Sequence, residues 1–175
     1  MADTPLIGDR AHALASVATA GAPGGIAALH ATWRAYWELT KPRVVALIVF
    51  TAIVGMLLAA PPWPAWPVLL AAPAGIALVA AAAAAINHLV DRGIDAQMAR
   101  TRGRPLPRGA VGAVQAGAFA ALLAAAGVAL LLATTNVLCA ALTVASLLGY
   151  AVLYSVFLKR ATPQNIVIGG AAGAA

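Results

Sequence analysis

The sequence predicts an all-α polytopic membrane protein, and three observations carry that prediction. Of its 175 residues 63% are hydrophobic and only 9% are charged, a balance no ordinary soluble domain shows. The apolar residues are gathered into blocks of about 20, the length a helix needs to cross the hydrocarbon core. Only helices and closed barrels satisfy their backbone groups in lipid, and uninterrupted apolar blocks select the helix. The basic residues alternate between the blocks: Lys and Arg number four before the first, none after it, five after the second, none after the third and two after the fourth. That is the positive-inside pattern of a chain with a cytoplasmic N-terminus. It also accounts for the net charge of +6 without nucleic acid, because the basic residues fall only in membrane-flanking segments. The single cysteine, Cys139, excludes an internal disulfide and a cysteine metal cluster, and reads as a small packing residue.

The elements follow in order. Residues 1–28 are rich in Ala, Gly and Pro, with Asp3, Asp9 and Arg10 as the only charges, and are expected to be a disordered tail. No basic segment precedes an apolar one there, so it is not a secretory signal, and one Arg beside two Asp makes a poor mitochondrial transit peptide. His12 and His30 read as solvated bystanders. Residues 29–41 bring Trp33, Tyr36, Trp37 and Thr40 to helical spacing beside Arg34, Glu38 and Lys41, the pattern of an amphipathic helix lying in the membrane interface. It serves either to set depth or as an entrance for a lipid substrate. Pro42 opens the first span, where proline is tolerated, and residues 44–60 are uncharged. The stretch 61–67 is a rigid, aromatic, uncharged turn. A second span runs from about Val68 to Val90, with Ala81–Ala85 letting neighbouring helices approach closely. A third covers about Ala110 to Ala133, the polar turn Thr134-Thr135-Asn136 follows, and a fourth covers about Val137 to Leu158 with Tyr150 and Tyr154 on one face. Polar residues 159–165 then lead into a fifth apolar segment from Ile166.

The chemistry gathers at the end of the second span. Asn87, Asp91 and Asp95 stand four residues apart, so on a continuing helix they form one file of oxygen-bearing side chains at the bilayer edge. Hard cations such as Mg²⁺ take oxygen ligands and bridge carboxylates to substrate phosphates. Five arginines follow at once (Arg92, Arg100, Arg102, Arg104 and Arg108), which suits an anion. The residues thus describe a Mg²⁺–diphosphate site at a membrane surface. Asn87 either ligates the metal or holds a carboxylate in place. His88, about 100° around the helix from Asn87, reads as a neutral packing or hydrogen-bonding residue. The plainer reading of the two aspartates is a solvated helix end paired with Arg92 and Arg100, and that of the arginine loop is topology alone.

These residues also carry a family resemblance. Asn87-x-x-x-Asp91-x-x-x-Asp95, followed by Arg100-Thr101-x-x-Arg104-Pro105-Leu106, resembles the first aspartate-rich motif of the intramembrane UbiA-type prenyltransferase superfamily. Leu39-Thr40-Lys41-Pro42-Arg43-Val44, Met98, and the run from Leu158 to Ala174 are similar to its haem O synthase (protohaem IX farnesyltransferase) branch. The resemblance covers about residue 36 to the end. It implies a bundle of about nine transmembrane helices around a central cavity. It implies farnesyl transfer from farnesyl diphosphate to a vinyl group of haem B with addition of water, giving the hydroxyethylfarnesyl chain of haem O, which serves a haem A synthase or a terminal oxidase. It further implies that Asn87, Asp91 and Asp95 bind Mg²⁺–diphosphate and that Arg100, Arg104, Lys159 and either Lys41 or Arg43 assist. The family's second aspartate-rich motif has no match here, so the sequence is expected to be the N-terminal half of such an enzyme, inactive alone. The expected setting is the bacterial cytoplasmic membrane. Two rivals stand beside this reading. One is a prenyltransferase acting on a quinone precursor such as 4-hydroxybenzoate. The other is a transporter or proton channel using the aspartates as relay groups, which needs them deep in the bilayer.

Overall fold

The computed structural model describes residues 25–59 and 64–151 of the chain. The chain divides into two compact units, Met1–Trp33 and Arg34–Ala175. Among the described residues there is no strand. The elements are α1 (Gly25–Leu39), α2 (Pro42–Ala59), α3 (Trp66–Gln97), α4 (Ala113–Thr134) and α5 (Val137–Leu148). Of these, α2, α3 and α4 are long and apolar enough to cross a membrane, and a shorter apolar helix covers Val137–Ala151. The end expected for the fourth span, Tyr154 and the segment from Ile166 lie outside the described residues, as does most of the expected tail.

Helix α1 starts at Gly25, four residues ahead of the expected 29. In the first unit its Ile26, Leu29 and Trp33 are exposed. In the second, Ala35 and Leu39, one helical turn apart, are fully buried, and Tyr36 meets Phe119 edge-on at 4.9 Å. A single residue then turns the chain. Lys41 takes a left-handed φ of 48°, the conformation that usually calls for glycine after a helix. Its carbonyl accepts from Val44 and Val45 and so starts α2, with Pro42 in the first helical position.

Helix α2 buries none of its residues, and Val44, Leu47, Phe50, Val54 and Leu58 are all exposed. A helix apolar all round is stable in hydrocarbon and not in water. Helix α3 runs unbroken for 32 residues, past the hydropathic limit at Val90 and through both aspartates. It packs chiefly on α4. Its Ala81–Ala85 run is buried, but the tightest crossing is elsewhere. A Cβ on Gly127 would stand 2.8 Å from the Gly75 carbonyl oxygen and 2.7 Å from Val79, so here the two backbones touch. The expected polar turn after α4 forms. Thr135 closes on Leu131, and Asn136 Oδ1 caps α5 by accepting from the Cys139 N–H at 2.8 Å.

Two apolar clusters hold the bundle, one toward each end. Ala35, Leu39, Ala85, Val111, Ala116 and Ala120 join α1, α3 and α4 at the end where α3 finishes. Ala72, Val79, Leu131 and Ala140 join α3, α4 and α5 toward the other, with Met56 and the half-buried Cys139 packed against them. The first cluster floors the charged residues, because α1 ends, α2 begins, α3 ends and α4 begins at that same end.

Candidate functional site

The helical register of α3 puts Asn87, Asp91 and Asp95 in the predicted file, and all three are buried, Asp91 to 2% exposure. Buried carboxylates persist only with hydrogen bonds and opposite charge around them, and the structure supplies both. Asn87 Nδ2 donates to Asp91 Oδ2 at 3.1 Å, while Asn87 Oδ1 accepts from Lys41 Nζ. Asn87 thus links the Asp91 carboxylate to the Lys41 ammonium. Arg104 Nη1 donates to Asp95 Oδ2 at 2.6 Å in a partly buried ion pair.

Loop geometry explains why Arg104 reaches the file. The chain leaves α3 at Met98, whose carbonyl accepts from the N–H groups of Thr101 and Arg102. Buried Thr101 donates its hydroxyl to the Asp95 carbonyl at 3.0 Å, folding the loop back over the helix end. Arg104 N–H bonds the Thr101 carbonyl, and Pro105, fully buried, carries the chain on to α4. In the sequence Thr101 stands within the arginine motif with no evident role. Its signal is a hydroxyl residue a few positions past a helix end, where free carbonyls need donors.

The other basic residues separate by location. Arg108 pairs with Glu38 of α1 at 3.3 Å, and Glu38 also meets Arg34 at 3.4 Å. Arg43, Arg92, Arg100 and Arg102 are exposed. Lys41 and Arg43 both line a surface hollow with Trp37, Glu38 and Val44, but Lys41 also bonds Asn87, whereas Arg43 is exposed. Lys159 lies outside the described residues. His88 is buried beside the file, and neither of its ring nitrogens has a hydrogen-bond partner among the described residues.

The arrangement presents oxygen donors from one helix, a lysine from the α1–α2 elbow and an arginine from the following loop. Among the described residues no group of three or more His, Cys, Asp or Glu side chains converges. Two carboxylates with an amide nevertheless fit a hard cation that shares its remaining ligands with phosphate and water. Measured along α3 from Trp66, Asn87 stands at about 31 Å and Asp95 at about 44 Å, so the file begins where a hydrocarbon core of about 30 Å ends.

The comparisons agree with the motifs. Residues 48–175 match the model of the UbiA prenyltransferase family. The chain is 64% identical over 146 residues to the protoheme IX farnesyltransferase of Ectopseudomonas mendocina (strain ymp), covering 83% of this chain and 49% of that one. It is 65% identical over 145 residues to the protoheme IX farnesyltransferase of Azotobacter vinelandii, covering 83% and 48%. Protoheme IX farnesyltransferase 2 of Pseudoalteromonas atlantica is 57% identical over 143 residues, covering 82% and 47%. The chain therefore spans about half the length of the curated relatives it matches. No solved structure matches it. With the aspartate file placed at the end of a membrane-length helix and the family model covering most of the sequence, this chain is a multi-pass helical membrane protein that belongs to the UbiA prenyltransferase family.

Proposed function

We propose that this chain carries the metal–diphosphate portion of a haem O synthase, which moves a farnesyl group from farnesyl diphosphate to a vinyl group of haem B. The observation that carries the reading is the buried file Asn87–Asp91–Asp95 flanked by Lys41 and Arg104. The names of its relatives, all protoheme IX farnesyltransferases, point to the acceptor. Asp91 and Asp95, steadied or joined by Asn87, would hold Mg²⁺, which when bound neutralises a diphosphate so that it can leave. Lys41 and Arg104 are placed to bind the same anion, with Arg100, Arg43 and Lys159 as further candidates from the flanking segments. Loss of diphosphate leaves a carbocation-like allylic carbon that must be kept from water until the terminal vinyl carbon attacks it, a need the apolar helices behind the file suit. Water then adds to the resulting cation and a proton leaves, giving the hydroxyethylfarnesyl chain. In this reading the spans belong to a bundle of about nine helices around a central cavity. The protein sits in a bacterial cytoplasmic membrane with its N-terminus and the file on the cytoplasmic side. The interfacial segment 29–41 admits the lipid substrate, and a haem A synthase or terminal oxidase uses the product.

The test is a mass spectrum of haem extracted from membranes that carry the natural gene product, supplied with haem B and farnesyl diphosphate. The expected result is conversion to haem O with Mg²⁺, none in a chelator control, and none in Asp91→Asn or Asp95→Asn proteins that still insert. No haem product, together with prenylation of 4-hydroxybenzoate, would transfer the reading to a quinone precursor. Wild-type turnover in both aspartate variants would remove the metal assignment.

A further inference from the structure

His88 is the one buried polar side chain at this site whose hydrogen-bonding groups have no use among the described residues. It is 4% exposed, and both Nδ1 and Nε2 lack a partner. A neutral imidazole has one N–H to donate and one lone pair to accept with. Burying both unpaired is unfavourable, and leucine or phenylalanine would fill similar space without that cost. The ring is also not in the alanine-lined part of α3. It directly follows Asn87, and the charged groups within electrostatic reach of it are Lys41, Arg104, Asp95 and Asp91. Lys41 comes from the α1–α2 elbow and Arg104 from the loop after α3, so both cations of the site act on the ring. On the helix it stands about 100° from Asn87 and 60° from Asp91, on the flank of the file.

We propose that His88 is a substrate-contacting residue of the diphosphate subsite, its ring N–H donating to a phosphate oxygen of the bound prenyl diphosphate. The inference rests on the functional reading above and adds a residue to it. The chemistry favours an anion over the porphyrin, because the groups that act on the ring include both cations of the site. A phosphate oxygen between Lys41 and Arg104 takes up the spare donor and removes the penalty of burying it.

The experiment uses the natural gene product in membranes, as wild type, His88→Leu, His88→Asn and His88→Gln. The amide variants return an N–H near the position of Nδ1 or Nε2. KM is measured for farnesyl diphosphate at saturating haem and for haem at saturating farnesyl diphosphate, and inorganic diphosphate is titrated as a competitor. His88→Leu is expected to raise KM for farnesyl diphosphate and the inhibition constant of inorganic diphosphate about tenfold, the worth of one hydrogen bond to a charged acceptor. KM for haem should not move, and one of the two amide variants should recover most of the loss. Unchanged constants in His88→Leu overturn the proposal, as does a rise confined to haem, or a loss that neither amide restores. Should His88→Leu fail to accumulate, His88→Ala takes its place and is read in the same way. A wild-type protein that makes no haem O defeats the functional reading before His88 is touched. An active wild type with an indistinguishable His88→Leu defeats this inference alone.

Discussion

Arg104 and Arg108 stand four residues apart in one loop and each meets a carboxylate, yet water treats the two pairs differently. The Asp95 side chain is 5% exposed, whereas Glu38 and Arg108 are 35% and 41% exposed. Removing Arg104 leaves a buried carboxylate without its cation, so Arg104→Ala is expected to cost about 3 kcal/mol. Arg108→Ala gives up a solvated pair and should cost under about 1 kcal/mol. Arg104→Lys should fall between, because an ammonium keeps the charge and loses the planar fork. Thermal melting of the detergent-purified protein checks all three, and equal losses for Arg104→Ala and Arg108→Ala would show that burial at Asp95 carries no energetic weight. The carboxylate file itself was legible from spacing alone, because a helix fixes the faces of i, i+4 and i+8. Which arginine would reach it was not. The loop offers Arg100, Arg102, Arg104 and Arg108 on equal terms, and the choice is made by Thr101 folding back onto Asp95. The choice between Lys41 and Arg43, both named by the resemblance, was left open for a similar reason. A lysine in a left-handed conformation is disfavoured by about 1 kcal/mol or more, and only its bond to Asn87 shows what that conformation secures.

Between helices, glycine decides how near α3 and α4 can come. A Cβ on Gly127 would meet backbone and branched side chain of α3 at under 3 Å, whereas nothing lies within 4 Å of one on Gly55. Gly127→Ala must push the helices apart, an overpacking cost of about 1 to 3 kcal/mol. Gly55→Ala gains helix propensity, up to about 1 kcal/mol, without any clash. Melting temperatures of the two variants should therefore move in opposite directions, and a neutral Gly127→Ala would mean that the crossing is looser than its geometry. The alanine run in α3 announced a close contact because small residues on a membrane helix are visible in sequence. The Gly75–Gly127 pairing did not, since it depends on the register of two helices, which hydropathy does not encode. The same limit explains the end of α3. Hydropathy stops at Val90, but hydrogen bonding carries the helix to Gln97 until Met98 turns extended. The site rests on that polar extension, which joins Asp91 and Asp95 rigidly to the membrane-length part of α3.

Across the whole molecule the two ends of the bundle differ in charge, and this predicts its orientation. Lys41, Asp91, Asp95 and the arginine loop share one end. The turn between α4 and α5, with Thr134, Thr135 and Asn136, has no charge. A potential and an anionic inner leaflet both favour holding Lys and Arg on the cytoplasmic side. Cys139 is the only cysteine in this sequence, so replacing it with Ala, together with any cysteine elsewhere in the natural gene product, gives a clean reporter background. Val137 is 73% exposed at the start of α5, and Arg102 is exposed in the loop. In right-side-out membrane vesicles an impermeant maleimide should label Val137→Cys and should reach Arg102→Cys only after the membrane is opened. The reverse labelling would place the aspartate file outside the cell and would defeat the cytoplasmic site of the proposed function as well as the orientation. Labelling at both positions from one side would break the antiparallel path of α4 across the membrane. The expected result instead joins charge, helix length and site position in one geometry, in which α3 crosses the bilayer and delivers its carboxylates to the basic face, as the proposed function requires.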